Sequence, residues 1–223
     1  MFSGLRIGTL ILVVLLPAVV VAAEAAAPLQ VDEVVARVQA RFDDTADMRA
    51  DVTQDVAVVS LGRSVSSKGT VAFRRPGKMR WNLTGDETQI IVADGKTIWF
   101  YQPAEKQVLR ASLDSVFRSA TPVSFLTGVG RIADDFKATI GERDSAQIGL
   151  FLEPKRANAD FGRLELVVSA DTYDIVEARV IDAIGNVTRI GFSNLRRNSG
   201  IPDSEFSFDV PPGVDVVDAP IGF

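Results

Sequence analysis

The chain of 223 residues reads as mainly β with some α. Three observations predict this. From Met48 onward, apolar and polar residues alternate with a period of two, the pattern of half-buried strands. Tight-turn pairs punctuate the alternation at Pro76-Gly77, Asp94-Gly95 and Gly185-Asn186. The segments between them give about 10–11 strands, a number that normally curls into a barrel or half-barrel. No composition break, repeat or low-complexity linker divides residues 28–223, so a single domain is expected there.

The N-terminus reads as an export leader. Arg6 ends a short polar start, Ile7 to Val21 is an apolar run, and small residues follow from Ala22 to Ala27. Val21-Ala22-Ala23 and Ala23-Glu24-Ala25 both suit signal peptidase. Residues 1–23 are therefore expected as a signal peptide, cut after 23 or 25. A retained membrane anchor is the other reading, but a run of about 15 residues falls short of the ~20 that span a bilayer. No cysteine is present to carry a lipid, so the exported product is expected to be soluble.

A helix comes next. Val31, Val34, Val35, Val38 and Phe42 fall at helical spacing on one face, and Asp32 and Glu33 favour its start. This is either a plain core helix or a mobile lid. Strands follow over Val52–Val58, Ser64–Arg75 and Lys78–Leu83. The last of these sets Met79, Trp81 and Leu83 against Lys78, Arg80 and Asn82. Thr88–Ala93 and Lys96–Tyr101 flank Asp94-Gly95 as a hairpin, and Gln107–Ala111 is a short further strand. Ser112 to Ile140 reads as broken helix: one piece at 112–119, one after Thr121-Pro122, and a third over Arg131–Ile140. Strands return around Ile148–Leu152, Leu164–Val168, Ile175–Asp182 and Val187–Asn194. Phe206, Phe208 and Val210 close the series as a last strand.

Composition excludes several kinds of chemistry. With no histidine and no cysteine there is no Ser-His or Cys-His pair and no zinc site of the common kinds. No metal and no cofactor are expected. No phosphate-cradling G-x-x-x-x-G-K-[ST] occurs. A net charge of −5 argues against nucleic acid as a partner. A hydrolase using Asp134 and Asp135, or Asp43 and Asp44, needs facing carboxylates that sequence does not reveal. The expectation is that the protein is not an enzyme.

Gly69 to Tyr101 is the most informative stretch. Val71, Phe73 and Arg75 fall on one face of a strand, so Arg75 should point where two apolar residues point. A charge buried without a partner costs several kcal/mol. Arg75 therefore either reaches a rim and solvent, or has a polar partner that can be made and broken. Arg74, Lys78 and Arg80 read as a solvated face, with a docking patch for an acidic partner as the other reading.

Five segments together resemble the periplasmic lipoprotein carrier family LolA. They are Val52-Thr53-Gln54, Gly69 to Trp81 (GTVAFRRPGKMRW), Ile91 to Tyr101 (IVADGKTIWFY), Asp182 to Thr188 (DAIGNVT) and Phe206 to Val214 (FSFDVPPGV). Each is weak alone; their order and spacing are specific. The resemblance implies an incomplete, strongly curved antiparallel β-barrel with helices as a lid over an apolar cavity. It implies a periplasmic chaperone that carries the acyl chains of lipoproteins from the inner to the outer membrane. Acylated lipoproteins would be its cargo, an inner-membrane lipoprotein-releasing ABC transporter its donor, and an outer-membrane protein, LolB-like if present, its acceptor. A monomer is expected.

The resemblance also makes Arg75 the lid latch. Candidates for the acyl-chain cavity are Val52, Val71, Phe73, Met79, Trp81, Leu83, Ile98, Phe100, Phe125 and Leu126. Candidates for the lid helix are Val34, Val35, Val38 and Phe42. Val52 stands where many members carry phenylalanine, and the stretch after Val214 is short. A rival reading keeps the same half-barrel as a periplasmic lipid- or lipoprotein-sensing regulatory module.

Overall fold

The computed structural model describes residues 29–114, 131–155 and 161–219. The expected leader and its cleavage site lie outside them, as do Phe125, Leu126 and most of the expected middle helices. The described residues open with helix α1, Val31–Asp43, then run through β1 (Asp47–Val58), β2 (Arg63–Arg74), β3 (Lys78–Gly85), β4 (Gln89–Asp94), β5 (Thr97–Gln102) and β6 (Gln107–Ser112). A helical turn, Ile132–Asp135, leads into β7 (Phe136–Arg143), β8 (Gln147–Pro154), β9 (Phe161–Ser169), β10 (Ile175–Asp182) and β11 (Val187–Arg197). A second short helical turn, Asp203–Phe206, precedes β12 (Asp215–Asp218).

All twelve described strands form one sheet, in the order β12-β6-β5-β4-β3-β2-β1-β11-β10-β9-β8-β7. The first strand therefore sits in the middle. The chain meanders outward from β1 to β6, restarts at the far edge with β7, and meanders back until β11 pairs with β1. Among the described residues no pairing joins the two ends, so the barrel is incomplete. Its curvature can be read from two rings. β3 and β11 are three strand steps apart, about 14 Å in a flat sheet. Yet the rings of Trp81 and Phe192 stand 6.3 Å apart, centroid to centroid.

Cross-strand partners share a face. Val71, Trp81, Ile91, Phe100 and Leu109 line up on the concave side. Ala72, Arg80, Val92, Trp99 and Arg110 line up on the convex side. The concave side holds the main core, which runs from α1 through Val52, Val71 and Trp81 to Leu150, Leu164 and Phe192. Gly69 lies in this row between Val52 and Leu83. A Cβ there would meet the Asn82 carbonyl oxygen at 1.8 Å, so glycine is what lets β2 and β3 approach this closely. The β4–β5 turn is also built as its sequence suggests. Gly95 takes a positive φ of 100°, and Asp94 Oδ1 accepts the amides of Lys96 and Thr97.

Three expectations need correction. Arg131–Ile140 is not one helical piece: the helix stops at Asp135 and Phe136 begins β7. Phe136, Ala138 and Ile140 pair with Pro154, Leu152 and Leu150, and that pairing overrides local propensity. Phe206, Phe208 and Val210 do not form a strand either. Phe206 ends a helical turn and is 1% exposed, packed with Ala72 and Ile201 on the convex face. The strand comes later, at β12, and pairs parallel to β6, so the sheet is not wholly antiparallel.

The same segment explains the basic row. Arg74 donates to the Ile201 carbonyl at 2.8 Å and pairs with Asp203, which Lys78 also meets. Arg80 donates to the carbonyls of Glu205 and Ser207. Trp99 and Tyr101 each pack 6.0 Å from the Phe208 ring. Arg74, Lys78 and Arg80 are thus neither a bare solvated face nor a free patch. They hold a strap, residues 199–209, against the outside of the sheet.

Candidate lid and acyl-chain cavity

Helix α1 lies across the concave face. Val34, Val35 and Val38 are buried in the main core, as their spacing predicts. Phe42 is only half-buried, and its ring lies under the Arg75 guanidinium at 4.5 Å. Gln39, one helical turn beyond Val35, is a buried polar residue in the apolar stripe. Its Oε1 accepts the Ile132 amide at 3.1 Å and its Nε2 donates to Asp43, so it ties α1 to the helical turn before β7. A polar residue inside an apolar stripe is the signal the sequence carries for this role.

Arg75 follows β2 immediately. Its Nη2 donates to the Phe42 carbonyl at 2.7 Å, and its Nη1 stands 3.6 Å from Asp43. The acceptor belongs to the last turn of α1, where it also accepts the Thr45 amide at 3.1 Å and the helix dipole favours a cation. The polar partner required by the pattern Val71, Phe73, Arg75 is therefore a backbone carbonyl on the helix. With its side chain 31% exposed, Arg75 sits at the rim, where the contact can be exchanged for water.

Under Arg75 lies a cleft of about 70 Å³. Its apolar walls are Val38, Phe42, Met48, Phe73, Phe192 and Leu195, and its rim carries Arg41, Arg75, Asp174 and Arg197. Small-molecule sites run to about 300–1,000 Å³, so this volume does not accept a long acyl chain. Of the cavity candidates, Phe73 reaches the cleft. Val52, Val71, Met79, Trp81 and Leu83 are each at most 8% exposed, packed in one cluster with α1. Ile98 packs against that cluster, and Phe100 is half-buried on the same face. The apolar surface is present but filled by the helix. A larger groove of about 490 Å³ lies over β7–β10, walled by Glu142, Asp144, Glu165, Glu177 and Arg179, and its charge does not suit hydrocarbon.

The other end of the lid contact is on the β9–β10 hairpin. Arg41 meets Asp174 through two bonds, Nε to Oδ1 at 3.0 Å and Nη2 to Oδ2 at 3.2 Å. Arg197 of β11 stands 3.3 Å from the same carboxylate. Nothing in the sequence pointed to Asp174, because its partners are 133 and 23 residues away and share no local pattern.

The family model described as outer membrane lipoprotein carrier protein LolA matches residues 43–209. The chain belongs to this family. A relative in Chromobacterium violaceum is 33% identical over 203 residues, covering 91% of this chain and 96% of the relative. One in Bordetella avium is 32% identical over 168 residues, covering 75% and 78%. Both are named outer-membrane lipoprotein carrier proteins. An uncharacterized conserved protein from Thermus thermophilus, 12% identical, superposes with a TM-score of 0.53 over 84% of this chain and 98% of its own, which speaks to the fold alone.

Within this LolA-family frame, three of the four carboxylates weighed for hydrolysis have local partners. Asp134 pairs with Arg131, and Asp135 accepts the Arg131 amide. Asp43 accepts from Gln39 and faces Arg75. No described helix is long and apolar enough to cross a membrane.

Proposed function

We propose that this chain is a periplasmic carrier that takes up the acyl chains of lipoproteins released from the inner membrane and delivers them to the outer membrane. The observation that carries this reading is membership of the LolA family across residues 43–209. The concave apolar face gives the reading a physical basis. Residues 1–23 would export the chain. The donor would be an inner-membrane ABC transporter, since the chain has no phosphate-cradling motif of its own. The acceptor would be a protein of the outer membrane. The relatives' names favour carriage over sensing.

In this reading Arg75 is the latch and α1 the lid. Burying acyl chain is worth about 0.8 kcal/mol per methylene, and several chains fully buried would exceed the practical affinity ceiling of roughly 18–21 kcal/mol. A carrier that must release its cargo needs a competing state. The core supplies that competitor: Val34, Val35 and Val38 occupy the apolar surface that cargo would take. The bond from Arg75 to the Phe42 carbonyl adds a modest polar increment to closure. Cargo displaces the helix, breaks that bond and regains the apolar contact.

The test is mass spectrometry of what copurifies with the full chain from a periplasmic extract, followed by transfer to outer-membrane vesicles. Acylated lipoproteins recovered in complex and passed on support carriage. A signalling protein, or no acylated species, overturns it.

A further inference from the structure

A line of polar atoms crosses the concave face together with α1. It starts at the end of the helix that is anchored on the sheet. There the Asn198 side chain donates to the Asp44 carbonyl and accepts the Ala46 amide, and the Arg75 amide donates to the Ala46 carbonyl. Arg75 Nη2 donates to the Phe42 carbonyl, and Nη1 stands 3.6 Å from Asp43 Oδ1. That same Oδ1 accepts Gln39 Nε2 at 3.0 Å. On its other side, Gln39 Oε1 accepts the Ile132 amide at 3.1 Å. Ile132 begins the turn that leads into β7. In the sheet order β7 is six strand steps from β2, about 29 Å if the sheet were flat.

Gln39 is the joint of this line. A backbone N–H can only donate and a carboxylate can only accept, so Oε1 must face Ile132 and Nε2 must face Asp43. Turned over, the amide would set donor against donor and oxygen against oxygen. Gln39 is 8% exposed and Ile132 0%, so water does not readily replace either partner. Hydrogen bonds in series orient and polarise one another, and a buried network with one member missing leaves the next unsatisfied. The turn is also held from β8, where Lys155 donates from Nζ to the Ala133 carbonyl and from its amide to the Asp135 carbonyl. The Ile132 amide is therefore the point at which the turn senses α1.

We infer that Arg75, Asp43, Gln39 and Ile132 act as one strut that closes α1 across both halves of the sheet, with Gln39 a positioning residue at its joint. Freeing Arg75 releases Asp43, leaves the Gln39 amide without its second anchor and weakens the hold on the turn before β7. The inference rests on the lid reading of α1 and deepens it. Cargo that breaks the strut at one end loosens the other, so the lid opens as a unit and not by degrees.

The test is amide exchange in the full chain, read at Val38 in α1 and at Ile132, with Leu164 of β9 as the reference for an intact fold. Wild type, Arg75→Leu, Gln39→Met and the double variant form a cycle. Methionine fills the space of glutamine without its hydrogen-bonding amide. Arg75→Leu should raise exchange about fivefold at Val38. It should raise exchange at Ile132 as well, although no printed bond joins Arg75 to Ile132 directly. Gln39→Met should raise exchange at Val38 about tenfold. The double variant should stay near tenfold, where independent contacts would multiply to about fiftyfold. Asp43→Ala cuts the strut at its half-exposed member and should raise exchange at Ile132 as Arg75→Leu does. A double variant near fiftyfold, or wild-type exchange at Ile132 in either Arg75→Leu or Asp43→Ala, overturns the strut. The readout needs no lipoprotein. A chain with the coupled response that carries no acylated cargo would refute the carrier reading and leave the strut standing.

Discussion

At the end of β2, two consecutive arginines fasten different parts of the molecule. Arg74 points outward to the strap and Arg75 inward to the lid, as successive residues of a pleated chain must. Arg75→Leu should leave the barrel folded and loosen α1. A hydrogen bond to a charged donor contributes about 1.5–3 kcal/mol when protected, and the partial exposure of Arg75 reduces this to about 1 kcal/mol. Amide exchange in α1 should therefore rise about fivefold relative to β1, and unchanged exchange would remove the latch role. Asp47 offers a pH test. Burial alone would raise its carboxyl, but donors at Ser199, Gly200 and Ile201 outweigh that and hold it below its ordinary 3.8. Its contribution is therefore complete above 3.8 and lost as pH falls through the lower folded value. The Tm gap between wild type and Asp47→Asn should be constant above that pH and close below it. A gap that persists into strong acid would contradict the assignment. At Gly69 the blocking atom is backbone and cannot turn aside, so Gly69→Ala should cost about 2 kcal/mol or more in urea unfolding. A cost under about 0.5 kcal/mol would show that β2 can move away.

The elements differ in how far the sequence exposes them. Strands with clean alternation, such as Lys78–Leu83, lie within a residue or two of their expected bounds, because burial on one face and a period of two act together. The α1 stripe is legible for the same reason. The strap was not, since Phe206 and Phe208 alternate like a strand and nothing local reveals that their partners are Ala72, Trp99 and Tyr101 on the far side of the sheet. The site divides along the same line. Arg75 is legible because it breaks a pattern. Asp174 and Asn198 are not, because a turn residue acquires its role from elements brought in by topology. The strap gives an element-scale prediction. Arg80→Ala removes the donor to the Glu205 and Ser207 carbonyls, and Phe208 should then loosen from Trp99. Trp99 emission, recorded with Trp81 replaced by Phe, should shift to the red; an unshifted spectrum would mean Phe208 is held without Arg80.

Across the whole molecule, the sheet consists of two meanders, β1 to β6 and β7 to β11, in which each strand pairs with its neighbour in sequence, and of β12, added at the edge beside β6. The pairing between them is that of β1 with β11, where Met48 meets Arg197 and Ala57 meets Val187. Partners there are separated by more than a hundred residues, while the hairpins on either side close short loops. Loop closure over long spans delays a contact in folding. The β1–β11 seam should therefore form after the hairpins, with α1 settling once both halves are in place. Pulsed amide labelling during refolding would show β3–β5 and β8–β10 protected first. The concave surface that holds α1 in the finished protein would exist, for a time, as two separate troughs.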